Sequence, residues 1–101
     1  MKCTSYLYDI KIKVMKTFDN LDFEKLSPFL NGVQARVQFD NGFGASVVKS
    51  AFSYGGKDGL YELAVLDKDG SLTYDTPVTS GVEGYLTPED VTKLLIQIQE
   101  L

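Results

Sequence analysis

Asp67-Lys68-Asp69-Gly70 is the first place to look for chemistry, because paired carboxylates before a glycine are what a calcium loop offers. An EF-hand loop places oxygen ligands at its first, third, fifth and twelfth positions around a glycine at the sixth. With Gly70 as the sixth, the first is Val65 and the twelfth is Thr76, so both key ligands are missing. A plain turn is the better reading. Tyr54-Gly55-Gly56-Lys57-Asp58-Gly59 is the second place. Its glycines allow close approach of backbone to a ligand, yet the lysine is not followed by Ser or Thr, so no Walker pattern is present. A glycine-rich hairpin loop is expected, and it is also the candidate binding tip, with Tyr54, Gly55, Gly56, Lys57 and Asp58 beside permissive backbone. Tyr85 joins the candidates because its neighbours are loop-like and tyrosine is favoured at interfaces. Asp67 and Asp69 are retained as acidic contact residues.

Other chemistries are poorly supplied. The chain has no histidine, so no common triad and no histidine metal site. Its one cysteine, Cys3, rules out an internal disulfide and a zinc cluster within one chain. Glu89 and Asp90 sit where a helix start would use them. Catalysis is not expected, nor any cofactor.

The 101 residues suit one domain with one modest core. No apolar run approaches a membrane span, and the N-terminus lacks the apolar stretch of a signal peptide, so a cytoplasmic protein is expected. Charge is uneven. Residues 1–16 hold Lys2, Lys11, Lys13 and Lys16 against Asp9, while the remainder holds six basic residues against thirteen acidic ones. An acidic body disfavours nucleic acid and suits a basic protein partner, or solubility alone.

The elements that must carry these residues follow from periodicity. Ser5–Val14 alternates, with Tyr6, Tyr8, Ile10, Ile12 and Val14 on one face, and predicts a strand with one wet face. A start at Met15 would make this segment an upstream extension. Asn20–Asn31 predicts a short helix with Leu21, Leu26, Phe29 and Leu30 inward. Pro28 interrupts it: either the helix ends before Ser27, or Ser27 caps a new turn. Val33–Phe39 alternates again. A three-residue loop, Asp40-Asn41-Gly42, pairs Phe39 with Phe43, Val37 with Ala45 and Ala35 with Val47, which predicts a type I turn with left-handed Gly42 and a bulge. The next strand is expected to run past Lys49, with a bend near Ser50 where the apolar phase slips. Leu60–Leu66 is apolar on both faces and predicts a central, doubly covered strand. Pairing Leu66 with Ser71 sets Val65 opposite Leu72 and Leu63 opposite Tyr74, with Tyr61 and Tyr74 in the core. Asp75–Gly84 reads as a loop. Thr87 as N-cap, Pro88 at the first helical position and the stripe Val91, Leu94, Leu95, Ile98 and Leu101 predict a C-terminal helix. It should cover the face carrying Leu63, Val65, Leu72 and Tyr74. The expected architecture is α+β: an antiparallel sheet of four to five strands, the C-terminal helix packed on one face, and a short helix after the first strand.

From Phe39 onward the chain resembles small uncharacterised proteins encoded by tailed bacteriophages and prophages. The resemblance is carried by Phe39-Asp-Asn-Gly-Phe-Gly-Ala-Ser-Val-Val48, Ser53-Tyr-Gly-Gly56, Gly59-Leu-Tyr-Glu-Leu-Ala-Val-Leu66, Tyr74-Asp-Thr-Pro-Val-Thr79 and Gly84-Tyr-Leu-Thr87. It covers about two-thirds of the chain and brings no catalytic residue. It implies a bacterial host cytoplasm and an accessory protein that binds and inhibits a host protein, such as an antiviral defence component. A small-ligand or nucleotide-sequestering domain, and a virion assembly component, are the alternatives.

Overall fold

The computed structural model describes residues 15–79 and 81–101. The strand expected over Ser5–Val14 lies outside the described residues. Five strands form one antiparallel sheet in chain order: β1 (Glu24–Lys25), β2 (Val33–Gln38), β3 (Gly44–Lys49), β4 (Tyr61–Leu66) and β5 (Glu83–Leu86). Helix α1 (Pro88–Gln99) packs on one face. The α+β architecture expected from periodicity is the one observed.

The β2–β3 hairpin has the expected register. Val37 faces Ala45 and Ala35 faces Val47. The Phe39 N–H donates to the Phe43 carbonyl at 2.7 Å, and Gly42 takes φ +91°. β3 then pairs with β4, Ala45 opposite Val65 and Val47 opposite Leu63. These four side chains share the face that α1 covers, where they meet Val91, Leu95 and Ile98 in a fully buried cluster. Burying a side chain of this kind contributes roughly 1.5–3 kcal/mol, so this cluster is the main source of stability.

Helix α1 starts as its sequence requires. The Asp90 N–H donates to Thr87 Oγ1 at 3.1 Å, and Asp90 Oδ2 accepts from the Thr87 N–H at 3.1 Å. This reciprocal capping box satisfies two otherwise orphan donors. The hydrogen bonds from Thr87, its backbone N–H first, hold the Asp90 carboxyl below the usual aspartate value.

On the other face, Ser46, Ala64 and Leu66 are also buried. Polar side chains from β2 supply part of the cover. Arg36 Nη2 reaches the Gly70 carbonyl at 2.7 Å and Gln38 Nε2 the Asp67 carbonyl at 3.3 Å, both crossing β3. Leu63–Leu66 is therefore covered on both faces, while Leu60, Tyr61 and Glu62 are half-buried.

Several local expectations are corrected. The helix over Asn20–Asn31 is replaced by a 3-10 turn, Phe18–Asn20, then β1, then a turn at Ser27. Glu24 and Lys25 pair with Gln34 and Val33, which takes their backbone out of helix. Ser27 opens a new turn with Pro28 as its next residue, its carbonyl accepting from Leu30 and Asn31 at 3.0 Å. β3 ends at Lys49 instead of running on. Leu72 pairs with Leu66, not Val65, and both Leu72 and Tyr74 are exposed. The helix covers Leu63 and Val65 without them. Glu83 and Gly84 belong to β5, not to a loop.

Candidate functional site

The Ser50–Leu60 connection between β3 and β4 is a folded loop. Ser50 and Ser53 start it: Ser53 Oγ accepts from the Ser50 N–H at 2.9 Å and donates to the Ser50 carbonyl at 3.1 Å. Gly55 and Gly56 are used for internal packing. A Cβ on Gly55 would stand 2.8 Å from Tyr85 Cα, and one on Gly56 would strike the Ser50 carbonyl. These glycines let the loop close on itself and on β5. Lys57 and Asp58 lie in the short 3-10 turn Gly56–Asp58 and project beside it.

Tyr54 and Tyr85 are joined through their backbones. The Tyr85 N–H donates to the Tyr54 carbonyl at 3.2 Å, and the Tyr54 N–H donates to Glu62 Oε1 at 2.8 Å. Gly84 makes room for Tyr54, whose Cβ would collide with any side chain there. Between Tyr61–Leu86 and Leu63–Glu83, β5 carries one residue more than β4, so it bulges. Within that bulge Tyr85 adopts φ +57°, a left-handed conformation that a bulky residue rarely takes.

The outcome is an aromatic end. Tyr54 is 61% exposed, Tyr85 62%, Phe52 66% and Phe29 79%. Phe29 stacks on Phe52 with ring centroids 5.6 Å apart and planes 28° apart. The Ala51 N–H donates to the Leu30 carbonyl at 3.1 Å, tying the Ser27 turn to this loop. Phe52, Tyr54, Lys57, Asp58 and Tyr85 line one shallow recess of about 330 Å³.

Six of the eight candidates therefore come together: Tyr54, Gly55, Gly56, Lys57, Asp58 and Tyr85. Asp67 and Asp69 do not. They follow the far end of β4, and six strand residues span roughly 20 Å. Asp67 Oδ1 is engaged in its own turn, accepting from the Asp69 N–H at 2.9 Å and the Ser71 N–H at 3.0 Å. Among the described residues, no group of three or more histidine, cysteine, aspartate or glutamate side chains is placed to hold a metal ion.

Two site residues escaped sequence reasoning. Phe29 was expected inward, yet the Pro28 turn directs it out. Phe52 gave a signal, since it falls on the wrong parity after Ser50, and that slip marks the place where the chain leaves the sheet. Among the described residues, no helix is long and apolar enough to cross a membrane. No family model matches the chain, and no curated protein or solved structure is similar to it at a significant level.

Proposed function

We propose that this chain is a phage-type accessory protein that binds a host protein and blocks it, with the aromatic end as the contact surface. One observation carries the reading: Phe29, Phe52, Tyr54 and Tyr85 are all more than half exposed on packed, hydrogen-bonded backbone. Grouped exposed apolar rings on a small domain mark interaction sites more often than chance exposure does. Aromatic side chains offer large contact area at low entropy cost and dominate interface energetics. The resemblance from Phe39 onward favours a bacterial protein as the target.

Small-ligand sequestration is supported less well. The recess beside Gly55 has the volume of a small ligand site, but other surface recesses of the molecule are as large.

The reading is tested by capture from bacterial lysate on the full chain, with two variants alongside. One protein retained by the wild type and by Asp67→Asn/Asp69→Asn, and lost by Phe52→Ser/Tyr54→Ser, is the expected result. Loss with the acidic variant alone would move the contact to the opposite end of the sheet. Retention of nothing specific would set the host-binding reading aside.

A further inference from the structure

We infer that Asn31 is a site of spontaneous covalent modification. The Gly32 amide nitrogen closes on the Asn31 side chain, the chain ages there to isoaspartate, and the turn carrying Phe29 is loosened. The same Asn-Gly pair at Asn41 is protected by the fold. This inference goes beyond the binding reading and does not depend on what the aromatic end binds.

The two pairs start alike. Each places glycine after asparagine, so no side chain hinders the attacking nitrogen. The reaction balances with water alone. The glycine nitrogen gives its proton to hydroxide and bonds to the asparagine Cγ; the Cγ–Nδ2 bond breaks and ammonia leaves. Water then opens the succinimide ring at either carbonyl. One opening gives aspartate, and the other gives isoaspartate, with the main chain rerouted through Cβ.

The fold separates the two pairs. Asn41 is half-buried and both ends of its amide are held. Oδ1 accepts from the Phe43 N–H at 3.0 Å, and Nδ2 donates to the Ile98 carbonyl at 2.8 Å and the Leu101 carbonyl at 3.5 Å. The nitrogen that would attack is engaged too, since the Gly42 N–H donates to the Phe39 carbonyl at 3.2 Å. Asn31 is exposed, and among the described residues no hydrogen bond holds its side-chain amide or the Gly32 N–H. It sits at φ +50°, so its backbone starts in the less favoured left-handed region and gives up little on leaving it. One bond stands in the way, from the Leu26 N–H to the Gly32 carbonyl at 2.8 Å.

The change falls where the Ser27 turn is tied to the rest of the molecule. The Ala51 N–H donates to the Leu30 carbonyl, and Phe29 stacks on Phe52. Gly32 has no slack, because even a Cβ there would strike the Lys49 carbonyl. Isoaspartate lengthens the main chain at this point, so Phe29 loses its fixed placement on Phe52.

The test follows the full chain at mildly alkaline pH by peptide mapping with mass spectrometry, once under native conditions and once in urea. The native chain should convert Asn31 to aspartate and isoaspartate at least about tenfold faster than Asn41, since the second pair must release several hydrogen bonds of modest net worth each. In urea the two rates should converge, because the difference is one of fold. Equal native rates, or a faster Asn41, would overturn the inference. So would an Asn31 that stays intact in the native chain while both pairs react in urea. A ratio that persists unchanged in urea would overturn it in favour of the flanking residues, Leu30 and Val33 against Asp40 and Phe43. Compared by NMR with fresh protein, the aged chain should show amide shifts that reach from Leu26–Gly32 to Ala51 and Phe52. Shifts confined to Asn31 and Gly32 would overturn the loosening of the turn. Asn31→Ser should show none of these shifts on ageing, and their appearance there would trace them to another site and overturn the assignment.

Discussion

The chain makes the same turn twice and obtains two different results. After β2, Phe39 and Phe43 close a turn in which the Gly42 N–H donates to the Phe39 carbonyl at 3.2 Å and Gly42 sits at φ +91°. After β4, the Asp67 N–H donates to the Ser71 carbonyl at 2.8 Å, the Gly70 N–H to the Asp67 carbonyl at 3.0 Å, and Gly70 sits at φ +81°. An Asx side chain supports each. Asn41 Oδ1 accepts from the Phe43 N–H at 3.0 Å, and Asp67 Oδ1 accepts from the Asp69 and Ser71 N–H groups. The first turn leads into the six-residue strand β3. The second leads to a single bridge, Leu66 to Leu72, and the Thr73 N–H donating to the Val65 carbonyl at 2.9 Å. Two differences accompany this: β5 already occupies the same edge of β4 at Tyr61 and Leu63, and the apolar phase differs. Behind Gly42, the turn register brings Ala45 and Val47 to the helix-covered face. Behind Gly70, the same register gives that face Thr73 opposite Val65, and sends Leu72 and Tyr74 elsewhere. Turn chemistry sets register; it does not by itself extend a strand.

The largest effect should come from the face that the first hairpin supplies. Leu95→Ala, beneath Val47 and Val65, should cost roughly 2–5 kcal/mol in a denaturation midpoint series. Leu72→Ala, on the failed strand, should stay within about 0.5 kcal/mol. Equal losses would mean that the two hairpins contribute alike. The turns themselves should be equivalent. Gly42→Ala and Gly70→Ala each force a Cβ into left-handed backbone and should each cost about 1–2 kcal/mol. Neither new Cβ would meet an atom closer than 3.8 Å, so the backbone cost stands alone. A much smaller loss at Gly70 would show that the second turn is not held.

This contrast also explains what the sequence made legible. At Asp40-Asn41-Gly42, hydrophobic phase and turn geometry agree, so register could be derived. At Asp67–Gly70 they conflict. A reading that aligned Val65 with Leu72 to keep apolar residues together was one residue out of step with the turn. The helix start was legible because Thr87, Pro88 and Asp90 act locally. β5 was not, since Glu83–Leu86 has neither alternation nor β-branched residues beyond Val82, and it forms only by pairing with β4. In the candidate site, the glycine loop marked the right place for an unsuspected reason: Gly55 and Gly56 serve packing. Phe29 and Phe52 were not anticipated, because their exposure depends on a turn and a chain exit that bring two distant segments together.

Tyr85 is another left-handed position, and here, as at Asn31, the chain has not used glycine. If Tyr85 is kept for its ring and not for the fold, Tyr85→Gly should relieve backbone strain and raise stability by about 1 kcal/mol. The same variant should weaken partner capture. A loss of stability would mean that the ring supports the fold, and the comparison with Gly42 and Gly70 would not extend to β5.

A smaller gain is expected from the change aimed most directly at the two hairpins. Thr73 is half-buried and shares the helix-covered face with Val65. Among the described residues, its hydroxyl accepts from the Asp75 N–H at a long 3.4 Å. Thr73→Val replaces that hydroxyl with a methyl group and leaves the β-branched shape unchanged. If apolar phase is what the second hairpin lacks, the change should stabilise by a few tenths of a kcal/mol up to about 1 kcal/mol, the range of one cross-strand pair. Amide exchange should slow at Leu72–Tyr74 and not at Phe43–Ala45, where pairing is already complete. Unchanged exchange across Leu72–Tyr74 would place the limit elsewhere. β5 would then be the nearest cause, because Glu83 and Leu86 already pair with Leu63 and Tyr61 and leave the segment after Gly70 only the far end of that edge of β4.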